Sequence, residues 1–469
     1  MPDDAMRPKV GLLALTLEFY EQAGPELRQG RERFAREKLV PALAEMADVR
    51  FDGACYTRQA VEQAVAAFEA DGADAICVVL LTYAPSLISA PALTRTHLPV
   101  VVWNTQELYA VDGTYGPAEL TANHGVHGTH DLCNVLTRCG RRFEYVTGHP
   151  DDADAVAALG DVFRAAQAAG RLRRARLGML GYAFPGMGDF GLDTTHLATT
   201  LGCAWEALSM ADYVRRTERA DAKQVRQLVE QYRDAYDVAD GISADDLAAA
   251  ARAETALRGM VADHRLDAVT YQFLAFGEDD RVETLPFVAA SRLLAEGVGF
   301  GGEGDLISAA GSALLGWLNP PASFSEIFTI DFAGNAVLVS HMGEANVAMH
   351  RPDAKARLVK RQTSLVPIRG NQLVLAVAFA PGPATLMALT LVAGGRWRII
   401  AAPMTIEDFG PLEHLEVPHA KMRPGGDVRT FLTAYATAGG PHHLAVCFGD
   451  ARRRLKALAA ILDADYCEV

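Results

Sequence analysis

Three stretches early in the chain are almost wholly apolar and end on polar residues: Lys9–Thr16, Ala73–Thr82 and Leu98–Thr105. A strand that is apolar on both faces must be covered on both, and a parallel sheet flanked by helices provides that cover. The intervening sequence supplies the helices. Pro25–Met46 carries apolar residues at helical spacing, and Val126–Cys139 reads as a helix before a further strand at Phe143–Thr147. This alternation predicts a doubly wound parallel sheet. Ligands of such sheets sit beyond the carboxyl ends of the strands. The polar tails Thr82-Tyr83, Asn104-Thr105-Gln106 and Thr147-Gly148-His149 are therefore the places to look.

The pattern returns in the middle of the chain. Ala175–Gly181 reads as a strand followed by the glycine-rich loop Gly186–Gly191. Helices are expected at Ala220–Tyr232, Ser243–His264 and Leu285–Glu296, with a strand at Leu266–Phe273 between the last two. The final third changes character. Phe324–Met342 and Gln372–Ile406 form short β-rich runs with turns such as Phe332-Ala333-Gly334-Asn335, which predicts a mostly antiparallel sheet or small barrel. The expected organisation is an N-terminal α/β domain over 1–170, a central α/β domain over 171–317 and a β-rich C-terminal domain over 318–469.

Charge narrows the partners. The net charge of −14 and a pI near 5.4 argue against nucleic acid, which needs a basic face, and against an anionic membrane surface. Met1–Pro8 is short and polar with no apolar segment behind a basic one, so no secretory leader is expected. Seven scattered cysteines with no C-x-x-C pair fit reduced thiols in a cytoplasmic protein.

Four places carry residue types suited to chemistry. Glu303 lies in Gly301-Gly302-Glu303-Gly304-Asp305, just before the apolar helix Leu306–Leu318. Read alone, it is a helix-start acid favoured by the dipole. Glu326 closes Ser323-Phe324-Ser325-Glu326 and alone is an ordinary strand-end acid. His341 ends an apolar strand, where a lone histidine is more often a hydrogen-bonded core residue than a ligand. His442-His443 follow a glycine turn before the strand Leu444–Phe448, a moderate metal signal. Together, two Glu and two His form a mixed oxygen and nitrogen set suited to Mn²⁺, Mg²⁺ or Co²⁺ with coordination positions left open.

At these residues the sequence resembles the L-arabinose isomerases within the L-arabinose/L-fucose isomerase superfamily. Gly297–Asp305 matches the family's G-x-G-F-x-G-E-G-D, Ser323–Glu326 its S-F-x-E, and Gly439–His443 its G-G-x-H-H. Ala336–Met342 matches L-V-L-G-S-H-M with Val339 in place of Gly. In the first third, Leu81–Pro85 looks like H-T-F-S-P, Asn104–Gln106 like H-T-Q, Asn123–Gly128 like N-Q-T-A-H-G, and Val146–His149 like V-T-G-H. The resemblance spans nearly the whole chain. It implies an aldose–ketose isomerase acting on an open-chain sugar through a cis-enediol. Glu303, Glu326, His341 and His443 would hold the metal, Mn²⁺ first, with Mg²⁺ or Co²⁺ as alternatives. Glu303 and Glu326 would also be the acid/base pair. Met187 would line the sugar pocket. His127 would reach the sugar bound by a neighbouring subunit, since the family places its site between protomers of a trimer or hexamer.

The sugar-reading residues depart from the family. Its G-S-Q-H-L-Y-G is replaced by Leu15–Glu21, so that Leu17 and Glu18 stand at its Gln and His. His124 replaces the Gln of N-Q-T-A-H-G, and Phe328 lacks the aromatic hydroxyl found two residues beyond the second glutamate. Exchanging a hydrogen-bonding side chain for an apolar one changes which hydroxyl a site tolerates. His124 either reads an anionic or bulkier group when protonated or only hydrogen-bonds in the pocket wall. The alternatives are an isomerase of a hexose, a 6-deoxy sugar or an anionic C6-modified sugar, an epimerase using the same enediol chemistry, and a non-catalytic sugar-binding or sensing protein. A dinucleotide enzyme is the weakest, because no G-x-G-x-x-G joins the first strand to its helix.

Overall fold

The computed structural model describes residues 7–361, 372–410, 412 and 414–469. Most of the N-terminal stretch read as lacking a leader, residues 1–6, lies outside them. The chain divides into two compact units, one of residues 1–170 with 456–462, the other of residues 171–455 with 463–469.

The first unit is built on the expected parallel sheet. Its strands run in the order Asp48–Arg50, Lys9–Leu15, Ala75–Leu80, Val100–Asn104, Glu144–Thr147, all parallel, with the short Ala54–Cys55 also paired to Lys9–Leu15. The three apolar runs occupy the middle, where both faces are covered. Every residue of Ala75–Leu80 is buried. Pro25–Ala44 is one helical stretch, two residues shorter than expected, with a π-helical segment at Ala35–Leu39 between two α-helical parts. Asp48–Arg50 and Ala54–Cys55 are too short to show a strand period in sequence.

The second unit opens with a four-stranded parallel sheet, ordered Gly299–Gly301, Ala268–Tyr271, Arg176–Leu180, Ala204–Leu208. Leu306–Leu318 lies against it. This helix is buried on nearly all sides and also packs on the strand His443–Phe448. The β-rich part closes into a small barrel. Gly382–Val392 pairs with His443–Phe448, then follow Ala322–Asp331, Ala336–Ser340, His419–Pro424 and Arg396–Ile406, which pairs back to Gly382–Val392. Asp465–Glu468 adds a parallel edge to Arg396–Ile406. A separate three-stranded sheet joins Gln372–Ala376, Arg357–Arg361 and Asp237–Val238. The α/β class with parallel sheets and a β-barrel-rich C-terminal part is as the sequence predicts. No helix among the described residues is long and apolar enough to cross a membrane.

Candidate active site

Barrel register assembles the site. Glu326 pairs with His443 on one neighbouring strand and with Ser340 on the other, and Ser340 directly precedes His341. Cross-strand partners lie about 5 Å apart at Cβ, so the register sets one glutamate between two histidines. Phe324, two residues before Glu326 and on the same face, packs edge-on against His341 at 4.7 Å and against His443 at 5.0 Å. Its ring forms a floor that keeps both imidazoles upright.

Glu303 arrives from the other layer. It sits where strand Gly299–Gly301 turns into helix Leu306–Leu318, with φ +60, followed by Gly304 at φ +82. Two left-handed residues in succession are costly unless one is glycine. At Gly304 a Cβ would also stand 2.3 Å from the Tyr182 carbonyl oxygen. The helix cap is not Glu303 but Asp305, whose Oδ1 accepts from the backbone N–H of Ile307 at 2.8 Å and Ser308 at 3.0 Å. Its Oδ2 faces Nδ1 of His443 at 2.9 Å.

The histidines share this arrangement. His341 Nδ1 meets Glu344 Oε2 at 2.6 Å, and Glu344 is itself held by the Tyr271 hydroxyl. His442 Nδ1 meets Asp189 Oδ2, which also accepts from the His442 backbone N–H. A carboxylate on each Nδ1 leaves each Nε2 to face the site. His443 Nε2 lies 2.9 Å from Glu326 Oε1 and 3.7 Å from Glu303 Oε2. His341 Nε2 lies 3.7 Å from Glu326 Oε1, and His442 Nε2 lies 3.7 Å from Glu303 Oε2. One donor atom from each of Glu303, Glu326, His442 and His443 falls within 4.8 Å of the others.

These residues fit a divalent cation on two observations. His443 Nε2 is buried and, although close to Glu326, is not aligned for a hydrogen bond. The space before the imidazoles is kept open by Gly302, where a Cβ would stand 3.1 Å from His341 Nε2 and 3.2 Å from His443 Nε2. Mixed carboxylate and imidazole donors suit ions of the Mn²⁺, Mg²⁺ and Co²⁺ type. Without a cation, protons balance the charge. Burial would lower the His443 pKa, but Asp305 and Glu326 lift it to about 10. Burial is likewise outweighed at His341 by Glu344 and at His442 by Glu303 and Asp189, so both are raised. Burial would raise Glu326, but the histidines hold it below the ordinary carboxylate value.

A pocket of about 270 Å³ adjoins this cluster. Its lining includes Glu303, Glu326 and His341 with Tyr271, Phe273, Phe287, Phe328, Met342 and Arg361. Phe328 is the extra residue of a β-bulge between Ile327 and Thr329, a device that re-aims side chains beside active sites. Met187 does not line it. The loop bearing Met187 instead supplies Asp189 to His442 and Phe190, whose ring stacks on His443 at 5.5 Å. Sequence reasoning missed Asp189, Glu344 and Arg361. The glycine-rich loop after a strand marked the region of the first, and an acid three residues past His341 could have marked the second.

The remaining expected residues lie in the first unit, beyond its strand ends. Leu17 caps the helix Glu18–Ala23 without a side-chain hydrogen bond, and Glu18 is exposed. His124 Nε2 meets the Tyr20 hydroxyl at 2.8 Å, and exposed His127 stacks on Tyr83 at 4.8 Å. Burial lowers the His124 pKa, which disfavours the imidazolium form.

Paired carboxylates and carboxylate-backed imidazoles beside a pocket make a site suited to cation-assisted proton transfer. Residues 191–318 match the family model of the L-arabinose isomerase central domain, and residues 321–465 match that of the L-arabinose isomerase C-terminal domain. The chain is 29% identical to the L-arabinose isomerase of Nocardioides sp., over 77% of this chain and 73% of that protein. It is 28% identical to that of Acidothermus cellulolyticus, covering 83% and 80% respectively. With that of Mycolicibacterium smegmatis the identity is 26%, over 83% and 78%. The two family matches together span more than half of the chain, which belongs to the L-arabinose isomerase-like proteins and is an aldose–ketose isomerase.

Proposed function

We propose that the protein interconverts an open-chain aldose and its ketose with a divalent cation, Mn²⁺ first, held by Glu303, Glu326, His341 and His443. The observation that carries this reading is the convergence of two carboxylates and carboxylate-backed imidazoles on the space left open by Gly302. His341 is preferred to His442 as a ligand because it is buried, whereas His442 is more open to solvent.

When bound, the cation supplies Lewis-acid polarisation of the sugar carbonyl. The chain's own residues move the protons. One of Glu303 and Glu326 takes the proton from C2 of the aldose, giving the cis-enediol, and returns it to C1. The other carries the proton between the two oxygens. Glu326, held below the ordinary carboxylate value by the histidines around it, stays ionised at neutral pH, as a base must. Asp305 and Glu344 fix the imidazole tautomers. Phe324 and the aromatic wall limit water at the reacting carbons.

The protein is further read as a cytoplasmic homo-oligomer, a trimer or hexamer, in which His127 and His124 of one copy meet the sugar held by another. The domain division at 170 and 317 belongs to the same reading. The test is conversion by metal-stripped protein with and without Mn²⁺, on L-arabinose, D-galactose, L-fucose, D-arabinose and acidic glucose derivatives. Mn²⁺-dependent ketose formation from one of them is expected. No conversion of any, with Mn²⁺ demonstrably bound, would move the reading to an epimerase or a sugar-binding protein.

A further inference from the structure

Arg361 ends the strand Arg357–Arg361, and its side chain lines the same pocket as Glu303 and Glu326. Its neighbour Lys360 is paired with Asp246 at 2.8 Å. Successive strand residues face opposite sides, and Arg361 turns to the pocket. There it donates through Nη1 to the Met342 carbonyl at 3.0 Å, which fixes the guanidinium next to His341. Among the described residues, no carboxylate oxygen lies within the 4.0 Å of an ion pair with it. The Nε–H and Nη2–H edge, the fork that takes a carboxylate or phosphate side-on, carries no partner among them.

The rest of the lining sharpens the point. Phe273, Phe287, Phe328 and Met342 offer no hydrogen bond to a sugar. The Tyr271 hydroxyl is spent on Glu344, His341 gives Nδ1 to Glu344 and keeps only Nε2, assigned above to the cation, and the Gln372 side-chain oxygen accepts from Thr284 and Leu285. A half-buried cation in a largely apolar wall gains most from an anion brought by the ligand.

We propose that Arg361 binds an anionic group on the sugar, carboxylate or phosphate, so that the preferred substrate is an acidic open-chain aldose whose reacting carbons lie at Glu303 and Glu326. This rests on the isomerase reading. Arg361 is a specificity residue and takes no part in the proton transfers.

The test compares Mn²⁺-loaded wild type, Arg361→Gln and Arg361→Lys on D-glucuronate, D-ribose 5-phosphate and L-arabinose. Turnover and calorimetric binding are both measured, after melting curves establish that the variants fold. Wild type is expected to favour one acidic sugar, glucuronate marking a carboxylate and the pentose phosphate marking a phosphate. Arg361→Gln should lose roughly 10- to 100-fold in kcat/KM and in affinity for that sugar, the range of a charge-assisted hydrogen-bonded pair. L-Arabinose should be unaffected, and Arg361→Lys should recover part of the loss. Equal effects on neutral and acidic sugars, or no preference for either acid by wild type, would overturn the assignment. Turnover of L-arabinose alone would do so while leaving the isomerase reading intact. Acid-sugar binding that depends on Arg361 without turnover of any sugar would sink the isomerase reading and keep the assignment.

Discussion

Replacing Asp305 by Asn sets two demands on one side chain against each other. The carboxylate accepts on both sides, from the helix N–H groups of Ile307 and Ser308 and from His443 Nδ1. An amide has one oxygen. If that oxygen keeps the helix cap, the NH₂ faces His443 and forces Nδ1 to accept. The proton then sits on Nε2, which can no longer bind a cation. The cap is worth about 1 kcal/mol and Asn caps as well as Asp, so this orientation leaves stability nearly unchanged. Loss of the partner behind a metal-binding histidine costs about 10- to 100-fold in metal affinity, or roughly 1.4–2.8 kcal/mol. If the amide turns the other way, His443 keeps its acceptor but the NH₂ confronts two N–H donors, and the cap contribution is lost. Mn²⁺ titration calorimetry on the stripped protein, with melting curves of the same preparation, reads both quantities. The expected result for Asp305→Asn is weakened Mn²⁺ binding at near-native stability. A variant that matched wild type in both would refute the shared role of this carboxylate.

Glu303→Gln and Glu326→Gln should each reduce turnover by at least about 10²-fold, the range of acid–base assistance, while the melting curve stays cooperative; near-normal rates with full metal would remove that residue from the acid/base pair. His341→Ala should lose stoichiometric Mn²⁺ whereas His442→Ala should keep it, and metal analysis showing the reverse would exchange their roles. In the metal-free protein His443 titrates near 10, above its ordinary 6.5. Its stabilising contribution is therefore complete below about pH 6.5 and lost as pH rises through 10, so the stripped protein should melt progressively lower between pH 7 and 10. Mn²⁺ affinity should rise over the lower part of that range, because the ion displaces protons; pH-independent melting and affinity would contradict the charge balance described. His127→Ala mixed with Glu303→Gln should regain activity through hybrid oligomers, and none after verified subunit exchange would count against a shared site.

The parts of the fold legible in sequence are those with strong periodic contrast. Ala75–Leu80 and Val100–Asn104 declare a two-sided buried strand because each is apolar nearly throughout. Ala204–Leu208 does not, since most of it is exposed or half-exposed at a sheet edge. Glu303, Glu326, His341 and His443 stood out as short matched motifs. Their common setting rests on the pairing of Glu326 with His443 and Ser340, which no local pattern encodes. Nothing in the sequence of Arg357–Arg361, with three basic residues in five, marks Arg361 as a pocket residue. Only the strand period separates the residue that pairs with Asp246 from the one that enters the pocket. The glycine-rich loop that carries Met187 is also marked in sequence, and its Asp189 and Phe190 make the contacts to the histidines.

The chemistry of the site depends on its being locked into the core. Asp305 ties His443 to the start of a helix buried on nearly all sides, and Phe324 wedges His341 and His443 from below. The turn holding Glu303 is pinned by its own carbonyl, which accepts from the Phe184 N–H at 2.9 Å, and by the close approach of Gly304 to Tyr182. A left-handed glutamate persists only where its surroundings over-determine it. Carboxylates fixed in this way lose little freedom when a sugar and a cation arrive, so binding energy goes to positioning the reacting carbons. By contrast Phe328 projects from a bulge at 45% exposure, and Arg361 reaches in from a separate three-stranded sheet. Rigid donors on the barrel and helix can therefore be kept while residues on the bulge and the small sheet change. That division would let Glu303, Glu326, His341 and His443 stay fixed while the pocket changes the sugar it takes.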